Sequence, residues 1–330
     1  MSNRVCKHLL VTGGAGFIGS AFIRYLLQKV EGVEKVVNLD LLTYAGDLAY
    51  LAPVSSDPRY YFVHGDILSG PLVEEVIRTH SIDTIVHFAA ESHVDRSIED
   101  PKCFYKTNVE GTLSLLEVVR RFPSIHFHHI STDEVYGSVK EGFFTESSPY
   151  KPNSPYAASK AASDHFVRAY ARTYGLSTTL SHSSNNYGPC QYPEKFIPLT
   201  LSALMGESPI PIYGEGRNVR DWLFVEDHAE GIWEVVQKGL SGESYNLGGG
   251  FEIENIDLAK TLIDAFASYC GESPKKYLPL ISFVEDRPGH DFRYALSGKK
   301  MKEELGWEPR STFEEGLTQT ISWYMERAHG

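Results

Sequence analysis

The sequence predicts a doubly wound α/β fold, in which helices cover both faces of a parallel sheet. Three observations lead to this prediction. The stretch "KHLLVTGGAGFIGSAFIRYLLQKV" reads as a strand, a glycine-rich turn and a helix. Short apolar runs then alternate with amphipathic helical segments as far as about residue 186. Polar residues follow several of the apolar runs directly. Such alternation is the sequence form of a parallel sheet with crossover helices.

The elements follow from this rhythm in order along the chain. Predicted strands after the first are "KVVNLD", "YYFVH", "DTIVHFAA", "IHFHHIST" and "STTLSHSS"; the main helices between them are "SGPLVEEVIRTH", "FYKTNVEGTLSLLEVVRRF" and "SPYAASKAASDHFVRAYARTYG". The last helix has the clearest boundaries. Ser154 can cap it, Pro155 suits its first position, and Gly175 follows its last turn.

The domain organisation changes near residue 187, where Pro and Gly become frequent in "GPCQYPEKFIPL" and "ESPIPIYGEGR". We therefore predict a dinucleotide-binding domain over 1–186 and a smaller lobe, mainly for substrate, over 187–330. Because "DHAEGIWEVVQKG" and "SYNLGGG" still read as a helix and a strand of the main sheet, we expect 221–248 to return to the first domain.

Composition and charge exclude several classes of partner. The net charge is −12 and no basic run exists, which argues against nucleic acid and acidic membrane surfaces. The four cysteines are scattered without a CxxC pair, and no segment is apolar enough to be a signal peptide or membrane span. We expect a soluble cytoplasmic protein. The histidines of "HFHHI" lie in a predicted strand without ligand-spaced partners, so we predict no metal site.

The glycine motif predicts a Rossmann-type cofactor site. Gly14, Gly16 and Gly19 form G-x-G-x-x-G between a strand and a helix, and Asp40 follows Gly19 by 21 residues at the end of the next strand. A carboxylate there accepts hydrogen bonds from ribose hydroxyls and favours NAD over NADP. The alternative is a glycine turn without a ligand. A weaker prediction makes Asp66 and Ile67 an adenine contact.

Tyr156 and Lys160 are four residues apart on the predicted helix, which places a phenol and an ammonium on one face. A phenol titrates near pH 10, so it needs a neighbouring positive charge to act as a base at neutral pH. We expect the ammonium and a cationic nicotinamide ring to favour the phenolate. The alternative is a chance spacing on an exposed helix.

Asp133 and Glu134 stand side by side in "STDEVYG", directly after an apolar strand. Neighbouring side chains in a strand point to opposite faces. On these residues alone, a solvated turn is the favoured interpretation.

Several motifs together resemble the extended short-chain dehydrogenase/reductase superfamily and, within it, the dTDP-glucose 4,6-dehydratases. They are "GGAGFIG", "LTYAG", "HFAAESHVDRSI", "STDEVYG", "YAASK", "SSNNYGPCQYPEKFIPL", "PIYGEG", "RDWLFVEDHA" and "DRPGHDFRYA". The resemblance implies a three-stage reaction at bound NAD. Tyr156, assisted by Thr132 and with Lys160 beside it, takes the proton of the sugar 4-hydroxyl while hydride leaves C4. Glu134 then removes the C5 proton and Asp133 protonates the departing 6-hydroxyl. The hydride finally returns to C6.

The resemblance also implies contacts, residue by residue. Cofactor contacts fall on Gly13, Gly16, Phe17, Ile18, Gly19, Asp40, Thr43, Asp66, Ile67, Ala89, Ala90, Glu91, Ser92, Thr107, Tyr156, Lys160 and Asn186. Substrate contacts fall on His93, Thr132, Asn185, Lys195, Phe196, Pro211, Ile212, Tyr213, Arg220, Asn255, Asp286, Arg287, Pro288, Gly289 and His290. Without the resemblance, His93 reads equally as a loop residue, and Arg220 with Asp221 reads as a surface ion pair.

Three alternatives stay open from the sequence. A nucleotide-sugar 4-epimerase has no use for the adjacent acids, and a UDP-glucose 4,6-dehydratase differs only in the base of its substrate. A non-catalytic dinucleotide sensor needs neither the acids nor the Tyr–Lys pair. The superfamily usually forms homodimers through two helices per subunit. Here the natural faces are "FYKTNVEGTLSLLEVVRRF" and "SPYAASKAASDHFVRAYARTYG", although both helices could simply cover the sheet.

Overall fold

The structure is a computed structural model that describes residues 3–328. Within this range the chain forms twelve strands: β1 (His8–Thr12), β2 (Lys35–Asp40), β3 (Tyr60–His64), β4 (Thr84–His87), β5 (His126–Thr132), β6 (Thr178–Ser183), β7 (Asn185–Tyr187), β8 (Ile210–Tyr213), β9 (Val219–Phe224), β10 (Ser244–Leu247), β11 (Glu252–Glu254) and β12 (Ile281–Val284). Seven of them form one sheet in the order β10-β6-β5-β4-β1-β2-β3. Every pairing in that sheet is parallel, which confirms the predicted doubly wound fold.

Ten α-helices accompany the strands in the same described range: α1 (Phe17–Lys29), α2 (Gly70–His80), α3 (Val94–Glu99), α4 (Pro101–Phe104), α5 (Gly111–Val119), α6 (Pro155–Tyr174), α7 (Phe196–Met205), α8 (Val225–Lys238), α9 (Asn255–Cys270) and α10 (Phe313–Ala328). The predicted single helix over "FYKTNVEGTLSLLEVVRRF" is not uniform. A π-helical stretch, Tyr105–Glu110, joins α4 to α5. The predicted ends of α6 are confirmed, because the Ser154 side chain accepts from the Ala157 N–H and Gly175 adopts a left-handed conformation.

Two apolar clusters lie on opposite faces of the large sheet. One contains Phe22 and Leu26 of α1 with Ile232 and Val236 of α8, and the other contains residues of α2 and α5 with Phe127 of β5. All seven strands run in one direction, so their carboxyl ends share one edge. The chain moves outward from β1 through β2 to β3 and then returns to β4 on the other side of β1. This reversal opens a crevice at the carboxyl ends of β1 and β4, where such sheets bind ligands.

A second lobe has its own core. It contains the three-stranded sheet β11-β9-β7, the pair β12-β8 and the helices α7, α9 and α10. The predicted boundaries of 1–186 and 187–330 stay a prediction about independent domains. In the structure β9 lies in the second lobe, whereas α8 packs on α1 and β10 pairs with β6. The aromatic C-terminal helix α10 buries Leu317 and Ile321 in the lobe core.

Candidate active site

One cavity of about 490 Å³ lies over the carboxyl ends of the strands, between the sheet and the second lobe. It brings together every residue of the predicted cofactor set, from Gly13 in the glycine turn to Asn186 in β7. Thr132, Asp133, Glu134, Tyr156 and Lys160 line the same cavity, as do Asn185 and Lys195. A contact between these residues and a cofactor or substrate stays a prediction, but the sequence motifs do converge on one space.

The glycine turn leaves no room for side chains. A Cβ at Gly13 would lie 2.5 Å from the Ala89 nitrogen, and one at Gly19 would lie 2.3 Å from the Gly13 carbonyl oxygen. The turn leads into α1, whose first residues line the cavity and whose N-cap, Gly16, provides no side-chain cap. The first N–H groups of the helix therefore remain available for an anion, and the helix dipole favours negative charge there.

Asp40 ends β2 at the wall of this cavity. One carboxylate oxygen accepts from the Ala15 N–H at 2.8 Å, and the other accepts from the Leu42 N–H at 2.8 Å. These bonds tie the carboxylate to the glycine turn. Each oxygen keeps a further lone pair for a hydroxyl group of a ligand.

The two adjacent acids lie where β5 ends, in a short 3-10 turn over Asp133–Tyr136. Asp133 is 2% exposed, so the alternative of a solvated turn is excluded. Thr132 donates to one oxygen of Asp133 at 3.2 Å, while the other oxygen is buried without a hydrogen-bond partner. Burial, followed by the neighbouring carboxylate of Glu134, raises the pKa of Asp133 well above its ordinary value. The shift favours the protonated form of Asp133, which is the form that can act as an acid.

Glu134 has a different environment. Burial raises its pKa too, but the positive charges of Arg287, Arg220 and Lys195 act in the opposite direction. A pair of carboxylates in which one has a strongly raised pKa and the other faces cations suits an acid and a base working together. The two titrations belong to the pair rather than to either residue alone.

In the protein by itself, the pKa of Tyr156 is raised. Burial, followed by the carboxylate of Glu134, raises the pKa of the phenol, and the hydrogen bond with Thr132 lowers it. The lowering expected from the ammonium together with a cationic nicotinamide ring stays a prediction. Lys160 itself is turned to the backbone, since its ammonium donates to the Ile130 carbonyl at 2.7 Å. Burial lowers the pKa of Lys160 to about 8.

The remaining predicted substrate residues do not line this cavity. They lie beside it, on the second lobe and at its junction with the sheet: His93, Phe196, Pro211, Ile212, Tyr213, Arg220, Asn255 and Asp286 to His290. Ile212 is fully buried in the lobe core, so its side chain packs rather than faces a ligand. Arg287 lies 3.4 Å from Asp95 of α3, and Tyr213 donates to the same carboxylate at 3.2 Å.

Arg220 is not part of a surface ion pair. The residue is 5% exposed, and its guanidinium donates to the carbonyl oxygens of Val219, Asp291 and Phe292. Asp221 binds elsewhere, accepting from Ser184 and from the N–H groups of Gly249 and Phe251. Arg220 is therefore a buried cation whose charge acts on Asp133 and Glu134.

Sequence reasoning missed a set of contacts across the mouth of the cavity. The Arg96 guanidinium lies over the Tyr44 ring at 3.9 Å, and the Tyr44 hydroxyl donates to Glu194 at 3.0 Å. Lys195 donates to the Ser92 carbonyl at 2.8 Å. These residues come from parts of the chain that are 50 to 150 positions apart, and no local pattern connects them. They hold the loop after β2, the start of α3 and the segment before α7 together.

The histidines of β5 have structural partners. His126 and His128 point to one face, where they contact hydroxyl groups of Ser177, Thr179 and Ser181, and His129 points to the other. Within residues 3–328 no group of three or more His, Cys, Asp or Glu side chains is placed to hold a metal ion. In the same range, no helix combines the length and apolar character needed to cross a bilayer.

Comparison with known proteins agrees with this geometry. The family model described as "GDP-mannose 4,6 dehydratase" matches residues 10–320. The dTDP-glucose 4,6-dehydratase of Neisseria gonorrhoeae is 48% identical, and the match covers 97% of this chain and 96% of that one. The dTDP-glucose 4,6-dehydratase of Xanthomonas campestris pv. campestris (strain B100) is 51% identical, with 96% and 92% covered.

Solved structures give the same result. DesIV from Streptomyces venezuelae, a dTDP-glucose 4,6-dehydratase crystallised with NAD and TYD bound, superposes with a TM-score of 0.92 at 49% identity, with 98% of each chain covered. A UDP-glucose 4-epimerase from Thermotoga maritima superposes with a TM-score of 0.87 at 29% identity, with 97% of this chain and 99% of that chain covered. The chain therefore belongs to the dTDP-glucose 4,6-dehydratase family of the extended short-chain dehydrogenase/reductases.

Proposed function

We propose that this protein is an NAD-dependent dehydratase that converts dTDP-glucose to dTDP-4-keto-6-deoxyglucose and water. The observation that carries the proposal is the pair at the end of β5. A buried Asp133, whose pKa is raised, and a Glu134 on which three cations act lie in one cavity with Tyr156 and Lys160. An enzyme that only oxidises and reduces C4 has no use for this pair.

Each residue has a separate role in proton transfer, set by its charge and position. Tyr156, held by Thr132, receives the proton of the 4-hydroxyl. Once C4 is a ketone, the C5 proton becomes acidic and Glu134 removes it. Asp133 gives its proton to the leaving 6-oxygen, so that water departs and a double bond forms between C5 and C6. Hydride then returns to C6 and a proton returns to C5. Because the free oxygen of Asp133 is buried without a partner, no competing hydrogen bond has to break first.

The cavity fits NAD on features of this chain. The crowded turn at Gly13 and Gly19 would admit a pyrophosphate but no side chain, the uncapped N-terminus of α1 offers N–H groups, and Asp40 offers carboxylate oxygens for ribose. When bound, NAD+ accepts hydride from C4 and later supplies it to C6, so no cofactor is consumed overall.

The substrate lobe supplies local positive charge to an acidic protein. Lys195, Arg220 and Arg287 all act on Glu134, so they surround the space next to the acids. We assign them to the diphosphate of the substrate, since arginine and lysine are the usual partners of phosphate oxygens. Apart from His93, Thr132 and Asn185, the other residues of the predicted substrate set would hold the nucleotide, and Ile212 would do so only through its backbone.

A homodimer is part of the proposal. One face of α6 packs on the sheet, while Ala158, His165 and Ala169 are exposed on the other. Tyr105, before α5, is 59% exposed. Light scattering should give twice the chain mass, and a monomeric mass would contradict this part. We also propose a cytoplasmic location, which the four unpaired cysteines support.

The second candidate is a UDP-glucose 4,6-dehydratase. A single methyl group on the base distinguishes the two substrates, and such a group contributes only about 1–3 kcal/mol to discrimination. The test is incubation with dTDP-glucose and UDP-glucose in deuterated water, followed by detection of the 4-keto product and of deuterium at C5. We expect faster turnover of dTDP-glucose, with deuterium at C5. Faster turnover of UDP-glucose would favour the alternative, and no keto product from either would exclude both.

A further inference from the structure

A second buried carboxylate lies on the far side of Lys160 from the cavity. Asp164 is one helical turn after Lys160 on α6 and is 0% exposed. One of its oxygens accepts from the Ser131 hydroxyl at 2.8 Å and from the Tyr150 hydroxyl at 2.8 Å, and lies 3.1 Å from His182 Nε2. We call Asp164, His129, Ser131, Tyr150, His182 and Arg168 the interior polar cluster.

This cluster keeps Asp164 ionised. Burial alone would raise the pKa of the carboxyl, but the imidazoles of His129 and His182 hold it well below the ordinary value. Arg168 completes the cluster by donating to the Tyr150 hydroxyl at 2.9 Å and to Ser244 at 3.0 Å. The result is a fixed negative charge inside the protein, and burying such a charge costs free energy unless a nearby cation balances it.

Two cations lie near this charge: Arg168, beyond the Tyr150 hydroxyl, and Lys160, beyond His129. The second oxygen of Asp164 lies 3.4 Å from His129 Nε2, and that same nitrogen lies 3.5 Å from the Lys160 ammonium. Burial, followed by the charge of Lys160, lowers the pKa of His129 to about 4, so the imidazole is neutral at neutral pH. A neutral imidazole thus stands between the carboxylate and the ammonium.

The other titratable groups around this pair do not replace Asp164. His87 of β4 faces Lys160, and burial lowers its pKa far enough to keep it neutral. Tyr136 and Tyr150 are phenols whose pKa values burial raises, so they stay uncharged. Asp164 is the group that opposes the effect of burial on Lys160.

We propose that Asp164 is a positioning residue that keeps Lys160 in its ammonium form through His129, and so sets the upper pH limit for activation of Tyr156. This inference rests on the proposed function, since it assigns Lys160 to the activation of Tyr156 in that reaction. One histidine of the "HFHHI" segment then has a role near the site, because His129 lies between the Asp164 carboxylate and the Lys160 ammonium.

The test is the pH dependence of kcat/KM for dTDP-glucose in the full-length Asp164→Asn protein. Losing an opposite charge moves a pKa by about 1–3 units, and the intervening imidazole favours the lower end. We expect the alkaline limb to move down by about one pH unit, which is a roughly fivefold loss of rate at pH 8 for a group that titrates at about 8, with KM little changed. Asp227→Asn is the control, because Asp227 is a buried carboxylate of α8 that accepts from the Ser311 N–H, far along the chain from Lys160.

The outcomes separate this inference from the proposed function. Asp164→Glu keeps the charge and should keep the limb near its normal position, and Asp164→Ser is a second variant without charge in case the asparagine variant folds poorly. If the alkaline limb of the kcat/KM profile does not move in Asp164→Asn and Asp164→Ser, the proposed role of Asp164 is overturned, even if these variants are less stable. A shift of the same size in Asp227→Asn would also overturn it. A wild-type protein that forms no keto product would instead overturn the proposed function.

Discussion

Asp133 and Asp164 are two almost fully buried aspartates on either side of the same strand end, and their pKa values move in opposite directions. Asp133 has one hydrogen bond, from Thr132, one unpartnered oxygen and a carboxylate neighbour, and its pKa is raised. Asp164 has two hydroxyl donors and two imidazoles around it, and its pKa is lowered. Burial is common to both, so the neighbours decide which form is present.

The difference shows what each region is built to do. The cavity leaves a buried acid poorly satisfied, which is unfavourable for stability but keeps a proton ready for a leaving group. The interior polar cluster gives one oxygen of its acid two hydroxyl donors and places imidazoles beside both oxygens, which favours the ionised form. Helix α6 connects the two regions, since Tyr156 lies at its cavity end and Asp164 lies two turns further on.

The largest effect that should separate the two regions comes from a pair of tyrosines. Tyr156→Phe removes the group that accepts the first proton, and we expect NAD reduction to fall about a thousandfold, in the range of a lost acid–base catalyst. Tyr150→Phe removes a hydroxyl that bonds to Asp164, His182 and Arg168. It should lower the free energy of unfolding by about 1–3 kcal/mol and lower the rate far less. Absorbance at 340 nm measures NAD reduction, and thermal unfolding measures stability. Equal losses of rate in the two variants would contradict the different roles assigned to Tyr156 and Tyr150.

The two aspartates provide the next test through stability. Asp164→Asn leaves buried donors without their charged acceptor and should lower the free energy of unfolding by about 3 kcal/mol at pH 7. Asp133→Asn removes a poorly satisfied carboxyl and should raise it by about 1 kcal/mol while abolishing dehydration.

The pH dependence of these two effects follows from the direction of each pKa shift. The lowered pKa of Asp164 stabilises the fold above the unfolded value of about 4, and this contribution is lost as the pH falls through the folded value. The raised pKa of Asp133 has the reverse effect, because its contribution is present below about 4 and is lost as the pH rises towards its folded value. Thermal midpoints of the two variants should therefore differ most near neutral pH, approach each other as the pH falls to about 4, and converge only as the pH falls further, through the folded value of Asp164. A constant difference across this range would contradict the assigned charges.

The smallest predicted effect concerns the helix that both regions share. Ser154→Ala removes the side-chain cap of α6 and should lower the free energy of unfolding by about 1 kcal/mol. Ser154→Asp should restore it, since aspartate is also a good N-cap. A loss of activity without a loss of stability would mean that Ser154 acts on the chemistry directly.

Local patterns in the sequence were sufficient to predict much of the fold and the place of the site. The alternation of strands and helices, the crowded glycine turn and the boundaries of α6 all depend on neighbouring residues. The predicted position of Asp133 and Glu134 at a strand end depends on the same local information, together with the rule that ligands bind at the carboxyl ends of parallel strands.

Features that depend on distant residues could not be predicted in this way. The donors to Asp164 come from positions 131, 150 and 182, and the contacts of Tyr44 come from positions 96 and 194. The burial that raises the pKa of Tyr156 in the protein by itself is likewise a property of the packed fold. The burial of Arg220 under the 291–292 segment is of the same kind.

The most direct test of the central claim is deuterium incorporation at C5 by the Glu134→Gln protein, incubated with dTDP-glucose in deuterated water. Glutamine keeps the shape of the side chain and cannot accept the proton, while Tyr156 remains. We predict that bound NAD is still reduced but that C5 gains no deuterium, whereas Asp133→Asn reduces NAD and exchanges C5 without releasing water. Exchange at the wild-type rate in Glu134→Gln would contradict the assignment of Glu134 as the base and, with it, the division of roles between the two acids.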